Sequence, residues 1–224
     1  MDPDKEKRLF ELRRKLVESK QRWAKEGRLL TGQAGDPATG RLPPGQKQVK
    51  DWPVLDLGNR PGVSQESWRL KIDGLVAHPF DWNWKEFQDQ PQIVSVSDIH
   101  CVTAWSRFDN RWEGVSARHI LSLAKPLPVA RFVVFHGFDG YTTNLPLKDF
   151  DAGDALVAYS WEGKKLPREH GGPARVVVPR LYFWKSAKWV RGLELLDADE
   201  PGFWERYGYN NYGDPWREQR YAGD

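Results

Sequence analysis

From about residue 49 onward the apolar signals come as short strands closed by turns, and this limits the fold more than any other feature. Trp68, Leu70 and Ile72 alternate with Arg69, Lys71 and Asp73 and stop at Gly74, the period of a half-buried strand. Residues 93–96, 129–135, 155–159, 176–178 and 190–196 read as further strands, with a turn at Asp139-Gly140. Asn83 is placed to cap a short helix carrying Trp84 and Phe87 and ended by Pro91, and Ser116 to cap one running to Leu123. Many strands with few short helices predict an α+β body of mixed, mostly antiparallel sheets.

Ahead of this body, residues 3–26 read as one helix, with Pro3 at its start and Gly27 as its stop. Leu9, Leu12, Leu16 and Trp23 fall on one face, which predicts an amphipathic helix packed on its own domain or on a partner. Residues 31–48 hold Gly32, Gly35, Pro37, Gly40, Pro43, Pro44 and Gly45, an irregular connector. The chain therefore divides into an N-terminal helix with connector, 1–48, and a main domain, 49–224. Residues 1–30 carry ten Lys and Arg against six Asp and Glu, yet the whole chain has a net charge of only +3. Such a balance makes no strong case for nucleic acid or a membrane surface. No apolar run is long enough to span a bilayer, and the charged N-terminus has no apolar core of a secretory leader, so a cytoplasmic protein is expected.

Cys101 is the single cysteine in 224 residues, within Ser97-Asp98-Ile99-His100-Cys101-Val102-Thr103-Ala104-Trp105-Ser106. A lone thiol is either filler in a core or a reagent, and a thiolate is a soft ligand for redox metals. Five scattered histidines show no paired zinc spacing, and there is neither a P-loop nor a GxGxxG after a strand. A metal-free Cys-dependent hydrolase or transferase stays open, with His100, His136 or His170 as its base.

Two later runs bear on the choice. Glu169-His170-Gly171-Gly172-Pro173-Ala174-Arg175 forces a tight turn flanked by donors suited to phosphate, although taken alone it also fits an ordinary hairpin turn. Tyr182-Phe183-Trp184-Lys185-Ser186-Ala187-Lys188-Trp189 sets two lysines and a serine among aromatics, which suits a phosphate on a planar cofactor or an exposed strand rim.

Together these runs resemble the molybdopterin-binding domain of the sulfite oxidase family, over roughly residues 50–216. The resemblance implies that fold, with molybdopterin as cofactor and Cys101 as the thiolate ligand to molybdenum. It implies that His170, Arg175, Lys185, Ser186 and Lys188 grip the pterin phosphate. His136 and Gly137, in Phe135-His136-Gly137-Phe138-Asp139-Gly140-Tyr141, and Asn59, in the stretch 52–60, resemble cofactor-lining segments. Tyr209 falls where related enzymes place a hydroxyl near the exchangeable oxygen.

The implied activity is two-electron oxygen-atom transfer on a small S- or N-oxide or on sulfite; a non-catalytic binding module of the same fold is the alternative. Sulfite oxidases place an arginine shortly after the metal cysteine, whereas this chain has Trp105-Ser106 there and Arg107 one residue later. Trp-Ser looks closer to the bacterial enzymes that reduce protein methionine sulfoxide, although Arg107 and Arg111 remain candidates for the pocket. The large C-terminal dimerisation domain of sulfite oxidases is not expected in a chain ending soon after Trp216. No CxxCH motif occurs, so no haem is expected and a separate protein or mediator handles electrons.

Overall fold

The computed structural model describes residues 3–26, 40–56 and 58–224; Gly27 and the 31–39 part of the connector lie outside the described residues. The elements are, in order, α1 (Pro3–Lys25), β1 (Lys47–Gln48), β2 (Arg69–Gly74), β3 (Phe80–Asn83), α2 (Trp84–Gln88), β4 (Gln92–His100), β5 (Trp105–Ser116) and α3 (Ala117–Ala124). They continue with β6 (Phe132–Gly137), β7 (Thr142–Pro146), α4 (Leu147–Phe150), β8 (Leu156–Trp161), β9 (Lys164–Lys165), β10 (Arg175–Val177), β11 (Val190–Leu196) and α5 (Phe203–Arg206).

Two sheets carry the body. One runs β1-β5-β8-β10, with β4 added on β5 and β9 on β8; the other runs β3-β2-β11-β6-β7. Only the β1–β5 and β2–β11 pairs are parallel among the described residues. The fold is thus the mixed, mostly antiparallel α+β arrangement that the sequence predicts.

Local chemistry explains most elements. Trp68, Leu70 and Ile72 are fully buried while Arg69 and Lys71 face solvent. Gly74 ends β2 at a φ of +79°, and a Cβ there would lie 2.3 Å from the Leu195 carbonyl oxygen, so the neighbouring strand bars any side chain. Asn83 and Glu86 form a reciprocal capping box on α2, and the Ser116 hydroxyl accepts from the His119 N–H at 3.1 Å to start α3. Strand β6 begins at Phe132, later than the apolar run starting at 129 suggests.

The long strand β5 is not visible in the sequence, and its composition explains why. Its inward positions include Asn110 and Gly114 beside Phe108 and Trp112, so a polar residue and a glycine hide the period of two. Asn110 is satisfied in place: its amide donates to the Ser97 and Arg107 carbonyls at 3.1 and 2.8 Å. A Cβ on Gly114 would meet the Val157 carbonyl oxygen, which locks β5 closely against β8.

Strand β8 divides two cores. Val157 joins a core with Trp68, Ile72, Val133 and Leu193, and Leu156 and Ala158 face a second one. Val176 and Val177 on β10 divide in the same way. The second core is rich in aromatics and contains Cys101, Trp105, Trp184 and Tyr209. The first sheet is therefore buried on both faces, and its second face builds the wall on which Cys101 stands.

Helix α1 departs from expectation in its face. Leu9, Leu12 and Leu16 are 42%, 57% and 37% exposed, whereas Val17 is only 4% exposed. The packed stripe is Arg13, Val17, Lys20 and Ala24, at the three- and four-residue steps of one helix face, while Phe10 one turn earlier is 45% exposed. Two cations interrupt that stripe, so apolar periodicity misses it, although Leu16 of the expected face lines the cavity described below and Trp23 is half-buried. The end of the connector also belongs to the body, since Lys47 and Gln48 pair with Trp105 and Ser106.

Candidate active site

Strand β4 ends at His100, and the backbone turns at once: the Cys101 N–H donates to the Trp105 carbonyl at 2.8 Å, and Ala104 sits at a φ of 65°. A buried chain of polar groups holds this turn. The Gln46 amide donates to the Cys101 carbonyl at 3.1 Å, the Ser106 hydroxyl donates to Gln46 Oε1 at 3.3 Å, and His100 Nδ1 lies 2.8 Å from Ser106 Oγ. Burial holds His100 down at about 4, so the ring is neutral. Cys101 Sγ lies 3.2 Å from Thr103 Oγ1. Burial pushes the thiol up; the Thr103 contacts and then the charges of Lys20 and Lys188 oppose it.

None of the three candidate bases pairs with this thiol. His100 is committed to Ser106, His136 to Glu194, and His170 lies stacked on Trp52 at 3.7 Å between ring centroids. A raised thiol with no base is the opposite of an activated nucleophile.

Cys101 opens into a cavity of about 700 Å³, large enough for an organic cofactor. The Gly-rich turn forms one part of its wall. Residues Arg168–His170 make a single 3-10 turn, and Gly171 follows at a φ of +105°. A Cβ on Gly171 would lie 3.0 Å from the Lys188 Cα, so glycine lets the two segments touch.

Arg175 reaches back under the turn and donates to the His170 and Ser186 carbonyls, both at 2.8 Å, with its guanidinium 4.1 Å from the centre of the Phe183 ring. Lys188 Nζ donates to the Glu169 carbonyl at 2.7 Å and the Leu55 carbonyl at 2.9 Å. These hydrogen-bond acceptors are all neutral carbonyls. Burial, with no nearby carboxylate to offset it, pulls Arg175 down to about 9. Burial and then Arg175 pull Lys188 down to about 8 against the weaker opposing pull of Asp56 and Asp139, and burial, Arg175 and Lys188 pull His170 down to about 3. An anion entering between them relieves both the desolvation and the mutual repulsion.

Ser186 lines the cavity beside them, its hydroxyl oxygen accepting from the Val178 N–H at 3.0 Å, and exposed Asn59 stands at the rim. Tyr209 is 2% exposed, also lines the cavity, and stacks on Trp204 at 5.1 Å between ring centroids. Burial raises its hydroxyl well above the usual tyrosine range.

Three expected site residues fall elsewhere. Lys185 does not line the cavity: it is fully buried, 2.7 Å from Glu205 Oε1, and donates to the Asn144 and Asn211 carbonyls at 2.8 and 2.7 Å. The 3-10 turn over Phe183–Lys185 swings it inward, and its protons are all engaged. His136 lies on the opposite face of β6 from buried Phe135 and pairs with Glu194 at 3.0 Å. Gly137 shapes the turn without lining the cavity; a Cβ on it would collide with Asp139 Oδ1. The loop after β6 reaches the wall through Asp139, Gly140 and Tyr141 instead.

Arg107 and Arg111 are also directed elsewhere, Arg107 to Asn110 and Glu162 and Arg111 to Glu113. The cations that do reach the cavity and escape the sequence reading are Arg13 and Lys20 of α1. The step from Phe10 through Arg13 and Val17 to Lys20 is the signal that finds them. Trp105 and Trp52 also line the cavity, and the buried Trp105 Nε1 has no hydrogen-bond partner among the described residues.

The residues fit the cofactor that the sequence resemblance implies. Among the described residues no three His, Cys, Asp or Glu side chains gather to hold a metal ion, and Cys101 presents a single thiol to a cavity sized for an organic cofactor. The neutral-partnered Arg175 and Lys188 suit that cofactor's phosphate. No helix among the described residues is long and apolar enough to cross a membrane.

Comparison with known proteins agrees. The family model described as the oxidoreductase molybdopterin binding domain matches residues 57–204. The chain is 46% identical over 187 residues to the uncharacterized oxidoreductase YuiH of Bacillus subtilis, covering 83% of this chain and 94% of that protein. It is 29% identical over 151 residues to a putative protein-methionine-sulfoxide reductase subunit, YedZ1, of Azospira oryzae, covering 67% of this chain and 57% of the relative. It is 30% identical over 164 residues to the protein-methionine-sulfoxide reductase catalytic subunit MsrP of Gluconobacter oxydans, covering 65% and 52%. This chain thus spans little more than half the length of those two relatives. The crystal structure of the sulfane dehydrogenase SoxCD from Paracoccus pantotrophus shares the fold, with a TM-score of 0.56 at 24% identity over 62% of this chain and 40% of that one. The chain belongs to the oxidoreductase molybdopterin-binding domain family and is an oxidoreductase that works with the molybdenum cofactor.

Proposed function

We propose that the cavity holds the molybdenum cofactor with Cys101 as the protein's metal ligand, and that it transfers an oxygen atom, with two electrons, to or from a small S- or N-oxide or sulfite. The observation that carries this reading is the convergence of one buried thiol with Arg175 and Lys188, two cations whose hydrogen-bond acceptors are all neutral carbonyls, in one cavity.

When bound, the cofactor supplies a metal that cycles by two electrons and exchanges oxygen with substrate. The chain supplies position and charge. Arg175 and Lys188 hold the phosphate end with Ser186 beside them, neutral His170 and Trp52 offer flat faces, and Asn59 closes the rim. The Gln46–Ser106–His100 chain fixes the Cys101 turn and so aims the sulfur. Tyr209 offers a protonated hydroxyl, which burial keeps from ionising, to a polar atom of substrate. Trp105 after the thiol, and the methionine-sulfoxide reductase names of two relatives, favour an S-oxide. Electrons come from a separate protein or a small mediator.

Cys101→Ser tests the assignment. Metal analysis, the visible charge-transfer band and dye-linked turnover with sulfite, methionine sulfoxide and an N-oxide are compared with wild type. The variant is expected to keep the phosphate contacts, lose the sulfur-to-metal band and lose turnover by on the order of a hundredfold or more. A variant with colour and turnover intact refutes the ligand assignment.

A further inference from the structure

We propose that Lys20, carried over the cavity by α1, is a specificity-determining residue that makes this site select substrates bearing negative charge at the reacting end. The inference rests on the function proposed above and adds the N-terminal helix to the active site.

Helix α1 is seated on the wall that carries Tyr209. Val17 is buried there, the Phe10 ring lies 5.0 Å from that of Tyr207, and Arg13 donates to the Tyr207 hydroxyl at 3.0 Å. Lys20 Nζ donates to the Tyr209 hydroxyl at 3.2 Å and lies 4.7 Å from the centre of the Trp204 ring. Arg13 and Lys20 both line the cavity with Cys101 and Tyr209.

Neither cation has a carboxylate partner among the described residues, whereas exposed Arg14 on the same helix pairs with Glu18. Aromatic faces offset only part of the cost of withdrawing an ammonium from water, so an anion gains by meeting Lys20 there. The cations fall into two groups by partner. Arg175 and Lys188 bond the backbone of the 168–189 turns and Leu55, while Arg13 and Lys20 bond the hydroxyls of Tyr207 and Tyr209. One anion, the cofactor phosphate, accounts for the first group and leaves the second unassigned. Lys20 shares the cavity with Cys101 and is held against Tyr209, which sets its charge beside that phenol. Its contact with Tyr209 couples it to the hydroxyl that faces substrate. A small oxyanion such as sulfite, or an S-oxide carrying an adjacent acid group, meets Lys20 and the Tyr209 hydroxyl at once.

The test uses the full chain loaded with molybdenum, as wild type, Lys20→Met, Lys20→Arg and the same-helix control Arg14→Met. Sulfate, a non-reacting dianion, is titrated at constant ionic strength and read as a shift in Tm. Dye-linked KM values are measured with sulfite and with neutral dimethyl sulfoxide. Lys20→Met is expected to keep wild-type molybdenum content while its half-saturating sulfate concentration and its sulfite KM rise about tenfold. Its KM for dimethyl sulfoxide should stay within about twofold of wild type, and Lys20→Arg and Arg14→Met should bind sulfate nearly as wild type does. Fully loaded Lys20→Met that responds to sulfate and sulfite as wild type does overturns this inference alone, and leaves Lys20 as packing for α1. Wild-type protein that takes up no molybdenum overturns the underlying function and this inference with it.

Discussion

Lys185 and Lys188 stand three residues apart in one short segment, and the fold sets them in opposite surroundings. Lys185 meets the Glu205 carboxylate at 2.7 Å, with both side chains out of solvent, inside a cluster completed by Asn144 and Asn211. Burial pushes it down and Glu205 pushes back. Lys188 lies at the cavity wall, bonded to two carbonyls and repelled by Arg175, with Asp56 and Asp139 offsetting only part of that burial and repulsion and neither of them in contact with it. A lysine already neutralised by a fixed carboxylate gains nothing from an incoming anion. One held among neutral acceptors beside another cation gains a great deal. The first serves the fold, and the second suits the site proposed for the cofactor phosphate.

Lys185→Met sharpens that difference most. It leaves the Glu205 carboxylate buried, with Oε2 already lacking a hydrogen-bond partner among the described residues, and is expected to cost about 3–5 kcal/mol of stability. Urea denaturation checks this, and adding Glu205→Leu should recover part of the loss, because a buried pair is worse broken than absent. A single variant as stable as wild type would move Lys185 out of the structural class.

Lys188→Met is expected to change stability by only about 1 kcal/mol, since two lost hydrogen bonds are balanced by removal of a poorly solvated charge. Cofactor retention is where it should fail, with molybdenum affinity falling roughly tenfold or more as a charge-assisted phosphate contact disappears. Metal per chain after gel filtration reads this. Equal retention in the two lysine variants would erase the distinction.

The same pair marks how far the sequence is legible. The Cys101 loop, the 169–175 turn and Lys188 come together in one cavity because each is a local motif whose backbone is dictated by nearby residues. Lys185 and His136 cannot be placed that way. A 3-10 turn decides which way Lys185 faces, and pairing with β11 decides which side His136 takes. Both depend on contacts far along the chain. Strand β5 is hidden because Asn110 and Gly114 occupy apolar positions, and the α1 stripe because Arg13 and Lys20 do. In each case a polar group is buried against partners that one-dimensional periodicity cannot name. The strands β2 and β11 are legible because their inward positions are all apolar or glycine.

The turn that carries Lys188 also has an acid signature. His170 titrates near 6.5 in an unfolded chain but is held at about 3 in the fold. Between those values the unfolded chain binds the extra proton, so stability is full above pH 6.5 and falls as pH drops toward 3. His100, held at about 4, contributes in the same direction. His170→Phe keeps a flat ring on Trp52 and removes the proton site. It should therefore lessen the stability lost between pH 6.5 and 4 by about 1–2 kcal/mol, leaving the share due to His100. Denaturation midpoints across that range decide it, and an unchanged slope would mean that the ring accepts its proton without penalty.

The smallest effect belongs to His136, which marks the outer edge of the site. Its ring pairs with Glu194 at 3.0 Å, the two side chains being 25% and 40% exposed. Solvent screens a pair of that kind, so His136→Gln should change stability by about 0.5 kcal/mol or less. The residue follows Phe135 and precedes the cavity-lining Asp139–Tyr141 loop, so a cofactor contact through the backbone shape of that loop is a reasonable rival. Glutamine keeps a hydrogen-bonding group toward Glu194 and leaves Gly137 untouched, so the loop retains its shape. Molybdenum retention in His136→Gln should then equal that of wild type while Lys188→Met falls. A matching fall in both variants would place His136 on the cofactor side of the sheet, and the face assigned to it by the pairing of β6 with β11 would be wrong.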